Sequence, residues 1–146
     1  MIFKGEYEHT IDGKGRMFIP AKFREGLGEN FVIFKWMFDD CLYVMSNEEF
    51  ESYSAGLEKM PLADEDAAMV QRALYASATD AELDAQKRVL IPLEHRRYAK
   101  LEKDVIVVGV RTHIEIWDKE TYQNKTMDKE MLRSAIKNLN GMGFKI

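Results

Sequence analysis

The chain has 146 residues, 46% hydrophobic and 32% charged, with a formal net charge of −4, which suits one compact domain or two very small ones sharing a core. No apolar run approaches the length of a spanning helix, and the charged start MIFKGEYEHT has no hydrophobic signal core, so a soluble cytoplasmic protein is expected. Cys41 has no disulfide partner, and with His9, His95 and His113 scattered along the chain no zinc site, metal or cofactor is expected.

Alternation marks Phe3 to Tyr7 as a strand. Asp12-Gly13-Lys14-Gly15 is a turn signal, with two glycines free to take positive φ. Arg16 to Ile19 reads as a short strand stopped by Pro20, which suits the first turn of a helix over Ala21 to Leu27. Phe31 to Lys35 and Leu42 to Met45 are strands by their aromatic and branched content. Ser46 with Glu49 forms a capping box, so a helix is expected from Asn47 towards Leu57. Pro61 breaks the chain, and residues 64–78 are helical, with Ala67, Val70, Leu74 and Tyr75 at helical spacing. Strands then follow over Arg88 to Ile91, Val105 to Val110 and Ile114 to Trp117, with a short helix over Leu93 to Ala99. Asp118 caps a helix entering at Lys119. A final helix near Met127 to Leu139 gathers Met131, Leu132, Ala135, Ile136 and Leu139 on one side and ends at Asn140-Gly141.

The chain repeats itself. DGKGRMFIPAKFR (12–24) and DAQKRVLIPLEHR (84–96) share Asp12/Asp84, Arg16/Arg88, Ile19/Ile91, Pro20/Pro92 and Arg24/Arg96 in one frame. Downstream, NFVIFK (30–35) pairs with DVIVVG (104–109) and LYVMSNEEF (42–50) with IEIWDKETY (114–122), after a two-residue slip. Each copy is too short to fold alone, so the two should share one core. The organisation expected is a repeat over 5–50, a helical connection over 51–78, a second repeat over 79–122 and a C-terminal helical segment over 123–146.

Charge follows the same division. Residues 46–83 carry 2 basic and 9 acidic groups, whereas residues 84–146 carry 13 and 9, so the mean charge hides ends able to present basic surface to phosphates. No nucleophile elbow, paired-histidine helix or full phosphate loop occurs, and an aspartate beside an arginine is better suited to a satisfied ion pair than to proton transfer; no catalytic residue is expected. Two readings of the repeated frame compete. In one, Asp12 and Asp84 only brace tight turns and bind their arginines. In the other they do so while Lys14, Arg16, Lys22, Lys87 and Arg88 reach phosphates and base edges, a task for which arginine's planar fork is suited. Arg24 and Arg96, at helix ends, are assigned a structural role. The three histidines are read as surface or interface residues, and Trp36, Trp117, Phe31, Phe34 and Tyr43 as core or oligomer contacts.

GEYEHTIDGKGRMFIPAKFREGLG (5–28), ELDAQKRVLIP (82–92) and IVVGVRTHIEIWDKETY (106–122) closely resemble the MraZ family of bacterial transcription regulators, along essentially the whole chain. The resemblance implies an α+β fold in which two tandem pseudo-symmetric SpoVT-AbrB-like repeats form a swapped-hairpin β-barrel flanked by helices. It further implies a ring-shaped homo-oligomer, associated with the nucleoid, that binds double-stranded DNA at repeated promoter boxes upstream of the division and cell-wall gene cluster, with no small-molecule substrate. The family's paired signature falls on Asp12 and Arg16, then on Asp84 and Arg88. Lys87 stands where the family commonly has glycine, which either alters the second turn or adds a phosphate contact. An antitoxin-like or other protein-interaction module built on the same small barrel is the alternative.

Overall fold

Alternation along the central strands sends side chains to two sides of one antiparallel sheet, and both sides are covered. The computed structural model describes residues 2–126 and 128–146. The first half comprises β1 (Phe3–Thr10), β2 (Arg16–Phe18), α1 (Ala21–Leu27), β3 (Asn30–Lys35), β4 (Leu42–Ser46) and α2 (Asn47–Ala55). A 3-10 turn (Gly56–Lys59) and α3 (Glu65–Ser77) lead to the second half: β5 (Thr79–Glu82), β6 (Arg88–Leu90), α4 (Leu93–Tyr98), β7 (Asp104–Arg111), β8 (His113–Asp118) and α5 (Lys119–Thr126). α6 (Lys129–Gly141) follows. Met127, the expected start of that last helix, lies outside the described residues. None of the described helices is long and apolar enough to cross a membrane.

The halves exchange strands. The sheet order is β1-β7-β8-β4-β3-β5, and β2 pairs with β6 in a separate ribbon, so the first strand of each half bonds to the third strand of the other. β4 and β8 meet at the centre. The order is linear, with β1 and β5 at its two ends, and among the described residues the ladders do not close into a barrel. Closure would need β1 against β5; instead the chain turns out of the sheet at each aspartate, and the continuations, β2 and β6, pair with one another.

Phe31, Ile33, Leu42, Val44, Val105, Val107, Ile114 and Ile116 point to the side covered by the ribbon, α1 and α4, where Met17, Ile19, Phe23, Val89 and Ile91 complete the main core. Val32, Phe34, Tyr43, Met45 and Trp117 point to the other side and pack with Cys41 and Leu74. The aromatic residues expected in the core are there, with Trp36 packed at its margin. Burial of the Cys41 thiol raises its pKa, leaving it a neutral, packed group.

Several local expectations shift by a turn. Ser46 accepts from the Glu49 amide at 3.1 Å as a capping residue should, but α2 stops at Ala55 and tightens into the 3-10 turn. α3 buries Leu74 and Ser77 while Val70 and Tyr75 stay exposed, because the helix is tied to the sheet at its C-terminal end, where the Ser77 hydroxyl accepts from the Lys35 amide at 3.2 Å. α6 runs through Asn140-Gly141 and ends where Gly143 takes φ +95° and the Phe144 amide reaches the Leu139 carbonyl at 3.0 Å. Its apolar side is left uncovered: Met131, Leu132 and Leu139 are exposed.

Two of the histidines read as surface or interface residues, His95 and His113, are buried within the fold. His95 donates from Nε2 to the Ser77 carbonyl at 2.6 Å, and His113 stacks on Tyr43 with ring centroids 3.9 Å apart and meets Glu115 at 2.9 Å. Each has a polar partner in the fold that offsets part of the cost of burial, although His95 Nδ1 is buried without one.

Candidate functional site

Each repeated frame folds into the same braced turn. One oxygen of Asp12 accepts the amides of Lys14 and Arg16, both at 2.9 Å, and the other accepts Arg16 Nε at 2.8 Å. In the second half Asp84 accepts the amides of Gln86 at 2.8 Å and Arg88 at 2.9 Å, and Arg88 Nε at 2.9 Å. Backbone bonds close both turns, from Asp12 N to Arg16 O and from Asp84 N to Arg88 O. The spacing D-x-x-x-R is thus what the geometry needs: one carboxylate caps the turn and orients the arginine that ends it.

The electrostatics follow from those bonds. The Arg16 amide, with help from its side chain and the Lys14 amide, holds the Asp12 carboxyl down at about 2. The Arg88 amide does the same to Asp84, whose pKa is also lowered. Both aspartates therefore stay ionised at neutral pH. Each guanidinium uses Nε on its aspartate, while both Nη groups keep their donors free of any hydrogen bond or ion pair among the described residues.

The ribbon brings the two arginines onto one surface. Its register pairs Arg16 with Leu90, Met17 with Val89 and Phe18 with Arg88. Met17 and Val89 are 1% exposed and face the core, so Arg16, Phe18, Arg88 and Leu90 share the outer side. Arg16 and Arg88 also line one surface depression of about 430 Å3 with Thr79 to Glu82, Asp84 and Pro92. Lys14 and Lys87 stand exposed in the turns at opposite ends of the ribbon. Lys22 is not part of this group: it is exposed on α1, beside Lys4 and Glu25 in a separate depression, and its counterpart in the second half is Glu94. Sequence reasoning did not single out Phe18 and Leu90, although the alternation about Met17 and Val89 was the available sign that they face outward.

Fold and turns together define a class: duplicated α+β proteins whose halves exchange strands and each carry an Asp–Arg braced turn. Two consecutive segments, 2–73 and 74–138, match the family described as "MraZ protein, putative antitoxin-like". The protein named transcriptional regulator MraZ in Acetivibrio thermocellus is 44% identical over 135 residues, 92% of this chain and 94% of that one. Its namesake in Thermoanaerobacter sp. is 51% identical over 122 residues, covering 84% of this chain and 85% of the relative. The one in Carboxydothermus hydrogenoformans is 46% identical over 123 residues, with the same coverage. The chain belongs to the MraZ family.

Proposed function

We propose that this chain is a sequence-specific DNA-binding transcriptional regulator, and that the β2–β6 ribbon is the element it lays into the major groove. One observation carries the reading: two arginines, each oriented through Nε by an aspartate, present free Nη groups on the outer side of a single two-stranded ribbon. A major groove about 12 Å wide admits such a ribbon, and a guanidinium edge matches the O6 and N7 acceptors of guanine. Arg16 and Arg88 read base edges, Lys14 and Lys87 at the two ends contact flanking phosphates, and Lys22 supplies a lateral phosphate contact from α1. Asp12 and Asp84 hold the turns. The names of the relatives support regulation of transcription as the purpose of that binding.

The exchanged pairing of β1 with β7 and of β5 with β3 supports reading the architecture as the swapped-hairpin arrangement of SpoVT-AbrB-like domains, with repeats over 5–50 and 79–122. A single acidic chain offers few phosphate contacts, so affinity is raised by assembly into a homo-oligomeric ring that meets several promoter boxes at once. The proposed targets are direct repeats upstream of the division and cell-wall gene cluster, including the chain's own gene, with the protein held in the cytoplasm at the nucleoid. A titration against the chain's own upstream region at several salt concentrations, with the oligomer mass measured in parallel, tests this. Saturable, salt-dependent binding is expected, and the same affinity for an unrelated duplex refutes it.

A second reading, a protein-interaction module, draws on α6, whose residues Met131, Leu132 and Leu139 are exposed on one side. A stoichiometric protein partner together with no DNA shift would decide for it.

A further inference from the structure

The two braced turns are alike in themselves and unlike in what lies behind them. Gly15 is buried at φ +86°, and a Cβ placed there would stand 2.7 Å from Arg96 Cζ and 2.9 Å from Arg96 Nε. Arg96 donates from Nε to the Ile91 carbonyl at 2.9 Å, and the Ile91 amide donates to the Gly15 carbonyl at 2.8 Å. A guanidinium of the second half thus lies flat on the first turn and is pinned by the same residue that holds the turn's backbone. At the equivalent place in the second turn stands Lys87, with a side chain and φ +65°. The side chain of the equivalent arginine, Arg24, makes no hydrogen bond or ion pair among the described residues; its Nε is buried without a partner, in a depression it shares with Lys87 and Leu83. The Lys87 Cβ occupies the space that glycine leaves open to Arg96 on the other side.

We propose that Arg96 is a positioning residue for the first turn, latching Lys14 and Arg16 in place across the halves, while Lys87 denies Arg24 the same role and leaves the second turn unlatched. The inference rests on the DNA-binding reading of Arg16 and Lys14 for its functional meaning. The first turn then meets DNA pre-ordered and the second orders on contact, so the two contribute unequally to affinity.

The test uses the full chain and a duplex carrying its upstream region. In Arg96→Gln the Gly15 and Arg16 amides are expected to exchange about tenfold faster, with the Lys87 and Arg88 amides unchanged. DNA affinity should fall about tenfold while the log–log salt slope stays as it was; a lost phosphate contact would instead reduce that slope by about 0.9. Arg96→Lys, which keeps a donor within reach of the Ile91 carbonyl, should recover part of the affinity, and Arg24→Gln should leave exchange in both turns unchanged. Wild-type exchange at Gly15 and Arg16 in Arg96→Gln overturns the latch, and so does a reduced salt slope. If the wild-type chain binds no duplex, the DNA reading fails and the exchange data still decide the latch. Should Arg96→Gln not fold, Lys87→Gly replaces it: slower exchange at Arg88, reversed by adding Arg24→Gln, is expected, and no slowing overturns the proposal.

Discussion

At one matched position in the short helices the first half buries an aromatic ring and the second a polar one. Phe23 in α1 is buried and nearly perpendicular to the rings of Phe3 and Tyr7, with centroids 5.7 and 5.3 Å away. The matching position in α4 is His95, buried against the Ser77 carbonyl. Where the first half has Gly15 and Gly28 at positive φ, the second has Lys87 and Lys100, at +65° and +55°. Within the repeated frame the residues that brace the turn keep their identities, Asp12/Asp84 for three bonds each and Arg16/Arg88 for the Nε donor, as do Ile19/Ile91 and Pro20/Pro92 where ribbon passes to helix and Arg24/Arg96 beyond it. A duplicated frame therefore tolerates a changed interior as long as the aspartate and arginine that brace each turn are kept.

The largest break in this comparison should come from Phe23→Ala, which removes a fully packed ring and is expected to cost about 3–5 kcal/mol of unfolding free energy in denaturant titration. His95→Phe at the matching position should be far milder; equal losses at the two sites would mean that both slots are packed alike. Next come the arginines. Arg16→Ala should weaken DNA binding by about 1–3 kcal/mol or more at constant oligomer mass, and Arg88→Ala by less, because its turn is not latched. An Arg16→Ala protein that is folded and binds DNA as before would remove Arg16 from the interface.

Smaller effects are set by pH. The Asp12 carboxyl sits at about 2 in the fold against an ordinary 3.8, so the stability it contributes is complete above about pH 4 and is lost as the pH falls through 2. Asp12→Asn should lower the melting temperature at pH 5 and flatten its decline between pH 4 and 2; an unchanged melting profile would deny Asp12 its bracing role. The smallest change is expected at His95, whose pKa burial pushes below its ordinary 6.5, against the opposing hydrogen bond to Ser77. Folding then favours the neutral ring, so stability is full above pH 6.5 and falls as the pH drops through the lowered value. His95→Phe should remove that portion of the acid sensitivity, leaving the share due to His9, which burial also lowers.

Much of this was written in the order of residues. The D-x-x-x-R spacing, the two prolines and the alternation of apolar side chains are local signals, and they marked the turns, the short helices and the central strands to within a residue or two. Strand partners were not legible, since alternation says which side chains share a face and not which strand lies alongside. Nor was the burial of His95 and His113, because a histidine's environment comes from distant residues, here Ser77 and Tyr43. Arg24 and Arg96 were alike in sequence and given one structural role. Contacts across the halves separate them, and the difference traces to a single side chain at position 87.

Strand exchange also bears on how the molecule is made. β1 and its partner β7 are separated by about a hundred residues, so their pairing waits for everything between them. Until that segment is in place β1, with Phe3 in it, lacks the strand it bonds to in the sheet. Strand exchange thus builds the sheet from contacts distant in sequence, which costs more loop-closure entropy than a sheet of neighbouring hairpins and slows its formation.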